Sequence, residues 1–503
     1  MSIPKPLVKV GIGCLVVLLT CFGGVGFMAW RILGGTVKPT TDYAGEINTL
    51  VASYQKEAEA QPDAWDELMV LLDTSKQLHE AARTSRTGEF ANILPDPSLL
   101  RSLKPLDPES VESKPENLDS ARKLLDDLHA KGAFKDLDAL APRMRAVRKL
   151  KADGGMLIEV LLPNLASSRQ LARANAARYH LAVMRGDLDE AVKAFESGLA
   201  LGRFFMQQGI LIDRLVGQAI VSLHTTAMQE TIDKITDEAT LKHLLAALDR
   251  QTKTPPVVLF LEAERRSILD TIQWTFTDLG DGNGYLSPQR FATVQSLSGN
   301  RMPGGQVFLG IVMADRKETT AALNRYFDEM GKYATLPRFE RIKSTFQPDV
   351  EVEQLSQRYL MLEMLLPAFG SALNTDDRWK MEIAGVRTIL GLEIWRRGHG
   401  GEPPAKLDDL VPGFLSQLPI DVFTGSPFGY KVLAPGSDAA GRRYLVYSFG
   451  TDGIDDGGVE MPDKPGESGN RHRALNRTPG TPGFDFVINY VEPPAAAPAK
   501  SGN

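Results

Sequence analysis

The sequence predicts a mainly α protein: an N-terminal transmembrane helix, a helical body of antiparallel helix pairs, and a small α+β module at the carboxy terminus. Three observations carry this reading. Residues 10–30 form a run of 21 residues without a charge. Apolar residues then recur at helical spacing through residues 41–375, and between Phe428 and Phe449 the spacing changes to alternation. The chain divides accordingly into a cytoplasmic tail, anchor and linker (1–40), the helical body (41–375), the module (376–490) and a tail read as disordered (491–503).

At about 1.5 Å per residue the apolar run spans roughly 30 Å, the thickness of a bilayer's hydrocarbon core. Trp30 closes it where an interfacial aromatic belongs. A cleaved signal peptide is the competing reading, but the run exceeds a usual signal core and no small-x-small cleavage site follows it. The expected partner of residues 10–30 is therefore the lipid bilayer. Lys5 and Lys9 precede the run and Arg31 and Lys38 follow it, so charge does not fix the orientation. The chain's two cysteines, Cys14 and Cys21, both lie in this run. The body can thus have no internal disulfide, cysteine-ligated zinc or cysteine nucleophile. A net charge of −6 without a long basic block argues against a nucleic-acid partner.

In the body, Leu68, Leu71 and Leu72 mark a helix face near Trp65, and five prolines in residues 89–118 mark a loop. Helical spacing resumes at Asp119 and runs with few interruptions to about Leu248. Within it, residues 177–201 read as a helical hairpin turning at Arg185-Gly186-Asp187, with Ala191 and Phe195 where a tetratricopeptide unit has a small residue and an aromatic. No second copy follows at a fixed period, so an ordinary helical hairpin is the favoured reading. A further helix follows Thr254 to about Phe276. The run Asp281-Gly282-Asn283-Gly284 resembles the middle of an EF-hand calcium loop, with Asp281 and Asn283 as its oxygen donors. The first and twelfth positions, however, fall on Leu279 and Arg290, so a plain Gly-Asp-Asn turn is the alternative. Asp315 and Glu318 form a capping-box start for a helix to about Tyr333, and another helix is expected over Val352–Leu366.

The most informative stretch runs from Lys380 to Tyr490. A helix ends at His399-Gly400-Gly401, and Pro403-Pro404 and Leu418-Pro419-Ile420-Asp421 follow. Phe423-Thr424-Gly425-Ser426-Pro427-Phe428-Gly429-Tyr430 then leads into two strand-like pieces, Phe428–Leu433 and Tyr444–Phe449. The sequence closes with Gly450-Thr451-Asp452-Gly453-Ile454-Asp455-Asp456-Gly457-Gly458 and, later, Phe484-Asp485-Phe486-Val487-Ile488. In this order the motifs resemble the soluble half of the major pseudopilins of type II secretion, over roughly 110 of the 503 residues. The resemblance implies a calcium ion in the final loop, with Asp452, Asp455, Asp456 and Asp485 as side-chain ligands. The chemistry agrees, because clustered carboxylates among glycines can wrap a hard cation, and a solvated acidic turn is the alternative. The chain departs from a pseudopilin in its membrane segment, which has no glutamate, and in the long body that separates anchor from module. It is not expected to build filaments. Anchor, helical body and pseudopilin-like tail together are similar to bacterial membrane-anchored proteins for which no activity is implied.

No P-loop, GxSxG elbow, HExxH or GxGxxG fingerprint is present, and the seven histidines are scattered. The sequence therefore points to a non-enzymatic protein tethered to the inner membrane, with its body in the periplasm, protein partners and a calcium-stabilised module. A helical-repeat-like binding scaffold and an extracytoplasmic hydrolase are the alternatives.

Overall fold

The structure is a computed structural model and describes residues 36–86, 95–101, 114–151, 154–159, 164–298, 313–355, 357–366, 368–450, 452–461 and 483–490. The apolar segment 10–30 and the tail 491–503 lie outside these residues. Among the described residues, no helix is long and apolar enough to cross a membrane.

The chain is mainly helical. Helices α1 (Tyr43–Tyr54), α2 (Trp65–Thr84), α3 (Pro115–Ala130) and α4 (Ala133–Leu140) lead to the hairpin α5 (Leu165–Arg185) and α6 (Leu188–Met206). Next come α7 (Leu211–Thr231), α8 (Glu238–Gln251), α9 (Val257–Thr275), α10 (Pro288–Ser298) and α11 (Arg316–Thr335). The short helices α12 (Arg338–Arg341), α13 (Pro348–Glu353) and α14 (Leu360–Leu365) precede the 31-residue α15 (Ala368–Gly398). Strands β1 (Gly429–Val432), β2 (Tyr444–Ser448) and β3 (Phe486–Val487) form one antiparallel sheet in the order β1-β2-β3.

The α5–α6 turn is the predicted one. Gly186 takes a left-handed φ of 75° that few other residues tolerate, and Asp187 caps α6 by accepting from Glu190 N. Helices α6 and α7 then cross at two glycines. A Cβ on Gly202 would lie 2.7 Å from Gly217 O, and one on Gly217 would lie 2.4 Å from Gly202 O. The close approach depends on the absence of a side chain at both positions.

Three expectations are corrected. Helical spacing between 119 and 248 breaks at a strap, residues 143–150, that is neither helix nor strand. The helix expected over 352–366 is two short ones, because Arg358 gives its carbonyl to Ala314 N (2.9 Å) and its guanidinium to Glu318 (2.7 Å). The helix entering the module begins at Ala368, well before Lys380. Its charged stretch Asp376-Asp377 looks like surface in sequence but is buried in ion pairs with Arg214 (2.6 Å) and Arg341.

The strap is held by side chains. Gln55 pairs with both main-chain groups of Ala146 (2.9 Å each), and Asn48 with both of Leu150 (2.8 and 2.9 Å). Arg203, fully buried in α6, donates to the carbonyls of Arg143 (2.6 Å) and Met144 (3.1 Å) and to Gln251. Burial lowers its pKa to about 10, so it remains charged at neutral pH.

Two outcomes follow. Arg203→Met preserves volume but strands two carbonyls, and it is expected to lower unfolding stability by about 3 kcal/mol in denaturant titration. Gly217→Ala forces α6 and α7 apart and is expected to cost about 1–3 kcal/mol in the same assay.

Candidate functional site

The candidate site covers one face of the small sheet. Every residue of β2 is buried. Alternation sends Tyr444, Val446 and Ser448 to the core shared with Met381, Ile389 and Leu392 of α15, and Leu445 and Tyr447 to the opposite side with Val487. Residues 452–461 fold over that second side. Gly458 sits so close that a Cβ would lie 3.0–3.1 Å from the Leu445 and Tyr447 side chains, and its φ is 76°.

The four predicted aspartates all belong to this loop and the start of β3. Asp455 Oδ1 accepts from the Tyr447 hydroxyl (3.1 Å) and from Gly457 N (2.9 Å). Asp456 Oδ2 accepts from Gly483 N (2.9 Å), and Asp452 Oδ1 from Ile454 N (3.1 Å). Asp485 is 1% exposed, and its Oδ2 accepts from Gly458 N (2.7 Å). Asp485 Oδ1 and Asp452 Oδ2 are buried without a hydrogen-bond partner.

Burial, reinforced by the negative charges of Asp455 and Asp456, pushes the Asp485 carboxyl up to about 7 against the pull of the Gly458 amide. An unpaired buried carboxylate oxygen facing further carboxylates fits a hard cation, which takes such oxygens as ligands. Among the described residues, no three His, Cys, Asp or Glu side chains stand close enough to hold a metal ion.

Asp421, which sequence reasoning passed over, braces the same sheet from its other side. It is fully buried, accepts from Ser448 Oγ (2.7 Å) and Phe423 N (3.0 Å), and burial raises its pKa to about 6. Glu393 of α15 does similar work, accepting from Arg396 (2.7 Å), Arg397 (2.9 Å) and the Tyr444 hydroxyl (2.8 Å). Their nearby partners read as ordinary turn and helix contacts, while the strand partners that show their role, Ser448 and Tyr444, lie 27 and 51 residues away.

The residues of the EF-hand-like run are engaged elsewhere. Asp281 pairs with Lys317 Nζ (3.1 Å), and the Asn283 amide bridges Asp315 Oδ2 (3.1 Å) and Lys317 N (3.0 Å), which secures the start of α11. Separately, residues 99–100, α3, α4 and the α5–α6 hairpin line a half-open cleft of about 1130 Å³. Leu118, Leu125, Phe134 and Leu181 contribute its apolar lining, and Arg122 and Arg185 line it as well. Glu190 in its wall is tied to Arg178 (2.7 Å), which is itself paired with Asp138 (2.7 Å).

A folded Asp485 holds its proton up to about pH 7, whereas an unfolded aspartate releases it near pH 4. The native state therefore binds the extra proton between those values, and stability falls as pH rises across that window. With chelator present, the melting temperature is expected to fall from pH ~5 to pH ~8, and Asp485→Asn is expected to flatten part of that slope. Equal slopes in the two proteins would contradict the buried, proton-holding carboxyl.

No family model, curated protein or solved structure matches the chain.

Proposed function

We propose that the chain is a membrane-tethered, non-catalytic interaction protein whose carboxy-terminal module is stabilised by calcium. Residues 10–30 anchor it in the inner membrane, the body faces the periplasm, and proteins of the secretion apparatus or envelope are its partners. The observation that supports this reading most is Asp485, a fully buried carboxylate with one unpaired oxygen beneath Asp452, Asp455 and Asp456. The order of motifs shared with the major pseudopilins supports it as well, as does the absence of any catalytic fingerprint from the sequence. Calcium, when bound, would supply positive charge where the carboxylates of Asp455 and Asp456 otherwise raise the pKa of Asp485.

A second reading, a helical-repeat-like binding scaffold, is favoured by the cleft of about 1130 Å³ beside the α5–α6 hairpin. Its mixed apolar and charged lining suits a peptide or an amphiphile. The two readings are compatible, since one concerns the module and the other the body.

The test is thermal unfolding with calcium or chelator. Calcium is expected to raise the melting temperature of the wild type and to have no effect on an Asp452→Ala, Asp455→Ala, Asp456→Ala variant or on Asp485→Asn. Because calcium competes with the Asp485 proton, the shift should be larger at pH ~8 than at pH ~6. No shift in the wild type at either pH would remove calcium from the proposal, and a shift retained by both variants would move the ion to another site.

A further inference from the structure

We infer that the end of the body carrying Thr36, the 278–286 loop and the first turns of α10 and α11 is a membrane-apposed face that rests against lipid headgroups. This rests on the reading of residues 10–30 as a bilayer span. The chain is fastened to its body within a few residues of the end of the apolar run. Thr36 O accepts from Asp278 N (2.9 Å) in an antiparallel bridge. Gln273, 2% exposed near the end of α9, accepts from Thr40 N and Thr41 N (3.1 Å each) and donates to Thr41 O (2.9 Å). Asp42 then caps α1, which packs on α9 through Ala44, Ile47, Val51 and Ala263 and through the Glu46–Arg266 pair (3.1 Å).

Only residues 31–35 separate Trp30 from Thr36. The six residue steps from Trp30 to Thr36, fully extended, reach at most about 22 Å. The body surface around Thr36 is thus held within that distance of the interface where Trp30 is expected. Three helix ends gather on this surface. Ser287 N bonds to Thr275 O (2.8 Å) and Arg316 N to Gly284 O (2.9 Å), which joins the end of α9 to the starts of α10 and α11 through the loop. Exposed Lys38, Gln289, Arg290 and Lys317 lie there, and the Arg290 guanidinium covers the half-buried Trp274 ring at 5.8 Å. Tryptophan is enriched at membrane interfaces.

Charge does not create the apposition. Lys38, Arg290, Arg316 and Lys317 are balanced by Asp278, Asp281, Asp315 and Glu318, so a polybasic attraction is absent and the short tether sets the distance. Contact at this face should therefore survive high salt. The module joins the body through the long helix α15. Phe369, Ala372 and Leu373 at the start of α15 share a core with α9 and α11, while Met381, Ile389 and Leu392 hold the module further along. A helix of 31 residues is about 46 Å long.

The body contains no cysteine, so single labels can be placed on the full chain after Cys14→Ser and Cys21→Ser. Gln289→Cys, exposed on the proposed face, and Ala439→Cys, exposed in the β1–β2 loop, would carry a fluorophore in liposomes of phosphatidylcholine and phosphatidylglycerol. The quencher is a short-range nitroxide on the lipid headgroup. The label at 289 should lose at least twice the fraction of emission lost at 439, in low and in high salt, and Gln273→Ala should reduce that difference. Equal quenching at the two sites, in protein that still floats with the liposomes, would overturn the apposition and leave the anchor standing. Failure of the full chain to float with liposomes would overturn both.

Discussion

Helix α15 supplies side chains to three separate hydrophobic cores, and the relative placement of body and module depends on it. Phe369, Ala372 and Leu373 join the core of α9, α11 and α14; Trp379, Ile383, Val386, Leu390 and Ile394 join that of α5, α6 and α8; and Met381, Ile389 and Leu392 carry the sheet. Three buried carboxylates fix its rotation. Asp376 faces Arg214 and Asp377 faces Arg341 of other helices, while Glu393, paired with Arg396 and Arg397 of its own helix, accepts from the Tyr444 hydroxyl of β2. A buried carboxylate tolerates little displacement from its arginine, because separation leaves an unpaired charge in an apolar setting at a cost of about 3–5 kcal/mol. Apolar faces alone would allow the helix to slide; the ion pairs specify one register.

The strap at residues 143–150 is the second constraint, and it works by hydrogen bonds rather than by area. A half-buried segment laid against helices has no strand beside it to satisfy its main chain, and each unmet buried group costs about 1–3 kcal/mol. Gln55, Asn48, Gln208 and Arg203 take the place of a neighbouring strand. Because these side chains come from α1, α6 and the turn after it, the strap locks the first helices of the body to the central hairpin.

The acidic loop follows a different logic. Main-chain amides satisfy one oxygen of each predicted aspartate, which sets the loop's shape, and the buried Asp485 retains an oxygen that nothing in the protein answers. A stabilising contact and an unmet need thus sit on one residue. Proton and cation are alternative ways of meeting that need, so the protonation of Asp485 and any cation affinity of the loop are linked.

Periodicity and turn chemistry were enough to read the helical class, the α5–α6 hairpin with Gly186 and Asp187, the capping box at Asp315 and Glu318, and the two strands of the β1–β2 hairpin. Each of these depends on residues within a few positions of one another, where backbone sterics and local hydrogen bonds decide the outcome. The four aspartates could be grouped by composition and order, but sequence could not show that Asp485 is the most deeply buried of them or that it and Asp452 each keep an oxygen unpaired. Nor could it show Asp421 bonded to Ser448, Arg203 reaching the strap, or the charged residues at 376 and 377 lying inside a helix. Those depend on partners tens to hundreds of residues away, and a charged side chain reads as surface until its counter-charge has been brought to it. Local chemistry in the sequence determined which elements form; burial and long-range pairing, which only the tertiary structure decides, determined what their polar groups face.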